Sequence, residues 1–207
     1  MMSAKKVLMF GWEYPPHHSG GLGVACKGMA HALIDNDVHV CFMLPKTLPL
    51  NETKVRIAFA DKKETTSKVT PHLEILSREL QNPYLNHIEY EKRLKLFIEA
   101  GGKIIPRTLF EQVDHYAALV STLSASDLQG YDIIHAHDWL CFPAGIAAKK
   151  ITGKPLVAHI HATEFDRCGG NNVNQLVYER ERLGMNTADH VITVSEFTKN
   201  TVVDKYG

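Results

Sequence analysis

Apolar residues fall in short blocks separated by longer stretches of helical spacing, and the blocks set the frame of the chain. "KKVLMF" (Lys5–Phe10) ends in an unbroken apolar run closed by Gly11, the pattern of a strand buried on both faces. From Gly21 the apolar positions Leu22, Cys26, Met29 and Leu33 recur at helical spacing, and "DND" (Asp35–Asp37) closes that helix. "VHVCFML" (Val38–Leu44) reads as a second strand. Strand, helix and strand in this order form the β-α-β unit of a parallel sheet.

The middle of the chain, about residues 45–128, is less regular and reads as an insertion. Within it "KVRIAFA" (Lys54–Ala60) predicts a strand and the polar "DKKETTSK" (Asp61–Lys68) a loop. Asn86–Ala100 and Thr108–Leu128 predict helices. Alternation then returns. Tyr131–His137, Lys154–Ala162 and Asp189–Ser195 predict strands, and Trp139–Gly153, Asn172–Ala188 and Glu196–Tyr206 predict helices. The expected fold class is α/β: a single doubly wound, Rossmann-like parallel sheet over residues 1–207 with helices on both faces.

Composition narrows the function. Lysine plus arginine and aspartate plus glutamate both number 23, a formal net charge of zero, which argues against nucleic acid as a partner. No apolar run approaches the roughly 20 residues that span a bilayer. The four cysteines, Cys26, Cys41, Cys141 and Cys168, are scattered without a CxxC pair, as reduced thiols of a cytoplasmic protein would be. The first residues lack the long apolar region and cleavage site of a signal peptide and read as the approach to a strand.

Two stretches carry candidate chemistry. In "HHSGGLG" the glycines Gly20, Gly21 and Gly23 lie between the first strand and its helix, at the carboxyl end of the sheet where ligands bind. A helix mouth there favours an anion, and glycine lets a ligand approach the backbone. A tight turn is the plainer alternative. The dinucleotide fingerprint does not fit, because about ten residues separate strand and glycines. A P-loop fails too, since no Lys-Ser or Lys-Thr follows.

The second stretch is a set of histidine pairs. "DIIHAHDW" and "LVAHIHATEFD" place His135 with His137 and His159 with His161 near two strand ends, each pair on one face. Four histidines with Asp138 could surround a metal in an HxH hydrolase, and this stays open as an alternative. Buried, hydrogen-bonded imidazoles are the plainer reading for His135 and His159. His137, Asp138 and His161 stand where a ligand would meet them and suit a hydroxyl-rich substrate. Glu164 and Asp166 follow as general-base candidates or as solvated loop carboxylates. Trp12, Tyr14 and Trp139 suit sugar rings or the core. Arg167 and Lys27 are unspecific anion contacts, and the "ERER" run (Glu179–Arg182) reads as a solvated helix face.

In order, a strand, "SGGLG", "HAHDW", "HIHATEFD" and "VITVSEFTKN" resemble the N-terminal half of retaining glycosyltransferases built from two Rossmann-like domains. The similarity is to the glycogen/starch synthase-like group and to glycosyltransferase family 4. It covers nearly the whole chain, most clearly residues 5–44 and 130–207. The resemblance implies that Gly20 and Gly21, with Leu22 and His18, approach the donor diphosphate. It implies that Asp138 is an acidic cleft residue and that His161 contacts the transferred sugar, the two forming the catalytic pair. His137 and Glu164 are expected beside them as substrate contacts. The substrates implied are a nucleotide-diphosphate sugar and a carbohydrate acceptor, with no cofactor and no metal. One departure stands out: glycogen synthases of this type carry lysine in "KTGGL", where this chain has His18 in "HSGGL". The resemblance also implies a separate C-terminal donor-binding domain, so the chain alone is expected to be inactive. A stand-alone sugar-binding protein, or an acceptor-side subunit needing a partner chain, is the alternative.

Overall fold

Residues 7–10 are buried on both faces of their strand, so each side chain from Val7 to Phe10 must find an apolar partner. A computed structural model describes residues 4–18, 20–63, 87–100 and 108–207. The strands are β1 (Lys6–Phe10), β2 (His39–Leu44), β3 (Arg56–Phe59), β4 (Ile133–His137), β5 (Leu156–Ile160) and β6 (His190–Thr193). They form one parallel sheet in the order β3-β2-β1-β4-β5-β6. The chain winds outward from β1 to β3, then returns to β4 and winds the other way. The strand order therefore reverses between β1 and β4, the point where open α/β sheets bind ligands.

The helices are α1 (Gly21–Asp35), α2 (His87–Glu99), α3 (Leu109–Ser121), α4 (Ala125–Leu128), α5 (Phe142–Thr152), α6 (Glu164–Arg167), α7 (Gln175–Thr187) and α8 (Glu196–Tyr206), with a 3-10 turn at Ala60–Lys63. Each expected strand is present and shorter at its ends. Most of the expected polar loop Asp61–Lys68 lies outside the described residues, as do residues 101–107. Thr108–Leu128, expected as one helix, is two. Ser124 accepts from the Asp127 N–H while the Asp127 side chain accepts from the Ser124 N–H, and this capping box starts a new turn. α5 begins at Phe142 rather than Trp139 and ends at Gly153 in the left-handed conformation, φ 67°. Among the described residues no helix is long and apolar enough to cross a membrane.

Alternation sorts the strands between two cores. Val7 and Met9, with Val40, Phe42 and Leu44, pack under Cys26 and Ala30 of α1. Leu8, Phe10, Cys41 and Met43 face the other way, with Val113 and Tyr116 of α3 and Ala144 and Ala148 of α5. On β4 and β5 that second face takes Ile134, Ala136, Leu156, Ala158 and Ile160. The α1 face of the same strands is then left to His135, His137 and His159, and to His161 just beyond. Gly145 lets α5 lie close to the sheet: a Cβ there would stand 2.8 Å from Ala136 Cβ and 3.0 Å from Leu156 Cδ1.

The loop between β1 and α1 is fastened by one carboxylate. Glu52 accepts from Tyr14 Oη at 2.8 Å and from the Lys54 N–H at 2.8 Å, and meets Lys27 Nζ at 3.2 Å. Burial alone would raise its pKa, but these donors hold it well below the carboxylate range. Lys27 is thus engaged away from the cleft. Tyr14 is fully buried on Phe42, and Trp12 packs on Tyr116, so both belong to the core.

Candidate functional site

A cleft of about 540 Å³ opens at the carboxyl ends of β4 and β5, beside the start of α1. Seven of the residues singled out from sequence line it: Gly21, Leu22, Asp138, Trp139, His161, Glu164 and Arg167. Trp139, in the core against Phe110, lends it a wall. Arg167 comes from α6, and a further lining residue, Asn174, from the cap of α7.

α1 starts at the cleft. Gly20 is its N-cap, extended, and offers no side chain to the helix; the first turn has no acidic residue. The positive end of the helix dipole therefore faces the cleft without a carboxylate of its own helix to offset it. Glu13, from the preceding loop, does take the Gly23 N–H at 3.1 Å. A Cβ on Gly23 would sit 3.0 Å from Glu13 Cγ and 3.1 Å from His18 Cβ, so glycine keeps this loop folded tightly against the helix. His18 turns its Nδ1 to the Gly20 carbonyl at 3.1 Å and is not part of the cleft wall.

Asp138 directly follows β4 with φ +57°, a left-handed conformation that aspartate tolerates better than most residues. It is buried, and its Oδ1 accepts the backbone N–H of His161 at 2.7 Å. Burial lifts its pKa to about 7, against the pull of that N–H and of Arg167. The carboxylate thus holds the backbone of the residue beside it.

The four histidines form one close-packed row on the α1 face, His159 stacked on His135, His137 and His161 and the other ring pairs tilted. His135 Nε2 lies 3.2 Å from His159 Nδ1, and His137 Nδ1 lies 2.9 Å from His161 Nε2. Ring centroids of neighbours stand 4.3–5.3 Å apart. Burial, then mutual repulsion, pushes His135 down to about 3 and His159 to about 4; His137 and His161 are lowered too. Contrary to expectation, His137 is not placed to touch a substrate: it is 0 % exposed and stands behind His161. Its Nε2 finds no partner among the described residues. Two trios bring one ligand atom each within 4.8 Å of one another, Cys26–His137–His161 and His135–His137–His159. In each trio an imidazole–imidazole hydrogen bond already engages ring nitrogens.

Glu164 is no solvated loop carboxylate. It opens α6, is buried, and accepts from Arg167 Nε and the Asn174 N–H, both at 3.1 Å. Asp166 caps the same helix through Thr163. The "ERER" run is a solvated face only in part: Glu179 and Arg182 are exposed, whereas Arg180 and Glu181 turn inward. Glu181 is 2 % exposed and takes hydrogen bonds from Arg167 Nη2, Tyr206 Oη and the Glu164 N–H. Burial raises its pKa against these donors. Arg180 spans Asp114 with bonds of 3.0 and 3.1 Å. Sequence reasoning missed Glu181, although it falls four residues after buried Val177 and four before buried Met185, on the inner stripe of α7.

The chain is 28 % identical over 204 residues to an uncharacterised glycosyltransferase of Methanocaldococcus jannaschii, covering 95 % of this chain and 42 % of the relative. It is 25 % identical over 208 residues to a glycogen synthase of Mycobacterium tuberculosis, covering 98 % and 45 %. The chain thus spans less than half the length of these curated relatives. Sucrose-phosphate synthase from Thermosynechococcus elongatus superposes with a TM-score of 0.62 at 14 % identity, over 98 % of this chain and 45 % of that one, and shares the fold. The starch synthase catalytic domain family (Glyco_transf_5) matches residues 6–207, so the chain belongs to that family.

Proposed function

We propose that this chain forms the acceptor-side half of a retaining glycosyltransferase that moves a sugar from a nucleotide-diphosphate donor to a carbohydrate acceptor. The observation that carries the reading is the meeting of the α1 mouth at Gly21 and Leu22 with His161 and Asp138 in one cleft at the sheet's reversal point. The donor diphosphate would lie at the α1 mouth, where the helix dipole favours anions. The sugar would then face His161.

In the reaction the bond from the sugar's anomeric carbon to the diphosphate oxygen breaks. A bond from the same carbon to the acceptor oxygen forms on the same face. The acceptor's hydroxyl proton passes to the departing diphosphate. His161 orients the sugar and stabilises developing charge, a role for a fixed donor rather than a nucleophile. Asp138 holds His161 in place through its backbone. A second, donor-binding domain completes the site, and the reaction takes place in the cytoplasm.

The test is a transfer assay on the whole natural protein, with a panel of nucleotide-diphosphate sugars and α-glucan acceptors. Transfer with retained anomeric configuration is expected, and His161→Ala lowers kcat/KM by ~10²–10³-fold. The 207-residue chain alone is expected to show no transfer. No transfer by the whole protein with any donor, or an inverted product, overturns the reading.

A further inference from the structure

The imidazole row behind the cleft holds its protons in an order that the geometry decides. Burial depresses all four rings, so near neutral pH each is uncharged and carries one N–H. The contact between His137 Nδ1 and His161 Nε2, 2.9 Å long, then needs one donor and one acceptor. Two arrangements satisfy it. In the first, the proton of His137 is on Nε2, its Nδ1 accepts, and His161 donates from Nε2. In the second, His137 donates from Nδ1 and His161 accepts at Nε2.

The orphaned atom decides between them. His137 Nε2 is buried and meets no partner among the described residues. The first arrangement puts an N–H on that atom and strands it, and a buried donor left without an acceptor is costly and rare in native proteins. The second leaves only a ring lone pair there. The Cys26 sulfur lies within 4.8 Å of a ring nitrogen of His137 and of His161. Burial, with Asp138 and Glu13 nearby, pushes that thiol up to about 12, so it keeps its proton and offers the row a weak donor.

We infer that His137 fixes the proton of His161 on Nδ1, so that His161 presents an N–H donor to the cleft while its Nε2 stays engaged behind it. His137 is thus a positioning residue, acting through His161. The inference rests on the reading of His161 as the residue that meets substrate. It narrows that role: His161 donates to an oxygen of a hydroxyl-rich ligand and does not serve as a general base. The backbone of His161 is held by Asp138 at 2.7 Å and its ring by His137, so both position and tautomer are set before any ligand arrives.

The experiment is a long-range proton–nitrogen correlation spectrum of the 15N-labelled chain near neutral pH, without substrate. His161→Ala identifies the ring signals. Both His137 and His161 are expected as single tautomers, with Nδ1 protonated and Nε2 bare. In His137→Asn the amide nitrogen replaces the Nδ1 donor, and His161 keeps its tautomer. In His137→Leu the donor is gone, and His161 loses the single-tautomer signature. A wild-type His161 protonated on Nε2 overturns the inference, as does a His161 pattern unchanged in folded His137→Leu. Loss of both ring N–H signals on adding one equivalent of zinc overturns it too, by making the row a metal site. If neither variant folds, the wild-type spectrum decides alone. Because no sugar is present, failure of the transfer assay leaves this result standing, and the wrong tautomer leaves the transfer assay untouched.

Discussion

Asp138 carries two burdens at one position. Its backbone is left-handed, φ +57°, and its buried carboxylate takes the His161 N–H. Asparagine tolerates the same backbone and keeps an accepting oxygen, whereas alanine offers neither. Because burial lifts the Asp138 pKa to about 7 from the ordinary 3.8, the folded state prefers the protonated acid, and stability from this group is lost as pH rises between those values, in full by pH 8. Asp138→Asn is therefore expected to unfold at the same or a higher urea concentration than the parent at pH 8. Asp138→Ala is expected to lose about 2 kcal/mol, read from the urea midpoint. Equal loss in both variants would mean that charge, not the backbone bond, is what the site needs. The aspartate itself was legible in "HAHDW", because a polar residue just past a buried strand meets the ligand edge of the sheet. Its hold on His161 was not, since that bond joins residues 23 apart.

At the scale of elements, period and punctuation told most of the story. The six strands and the long helices α1, α7 and α8 follow from apolar runs and spacing. The exceptions have local causes. Thr108–Leu128 was read as one helix because its apolar spacing runs on past Ser124, where a capping box outweighs it. The approach of α5 to the sheet was also hidden in sequence, since Gly145 looks like any helix glycine until Ala136 is placed 2.8 Å from its missing Cβ. Gly145→Ala raises helix propensity yet forces α5 off β4 and β5. It is expected to destabilise by about 1–3 kcal/mol, measured by urea unfolding. A stabilised variant would show that the layers can separate freely. On α7 the charge run concealed Glu181, because "ERER" read as charge hides that one of its members lies on the apolar stripe.

For the molecule as a whole, the imidazole row sets the response to acid. His135 and His159 titrate at about 3 and 4 in the folded chain, against about 6.5 for free histidine. Between those values the unfolded chain binds more protons, so stability rises with pH there and is lost as pH falls below about 6.5. Each such ring contributes up to ~1.4 kcal/mol per pH unit over its window. Asp138 and Glu181, both raised by burial, oppose this with the opposite sign, and the four lowered rings outnumber them. The urea midpoint is therefore expected to fall steadily from pH 6.5 to 5, well before ordinary carboxylates titrate. A midpoint flat down to pH 5 would mean that the rings are charged or hydrated in the native state.

Glu181 joins two regions that the chain keeps apart. It bonds Arg167 in the cleft wall on one side and Tyr206, in the last turn of α8, on the other. Occupancy of the cleft and integrity of α8 therefore draw on the same carboxylate, and linkage between them is reciprocal. Tyr206→Phe removes one hydroxyl from a residue outside the cleft lining. The factor by which it changes the affinity of a ligand held by Arg167 must equal the factor by which that ligand alters the energy of breaking the Tyr206 bond. Hydrogen exchange along α8 thus becomes a remote gauge of what fills the cleft.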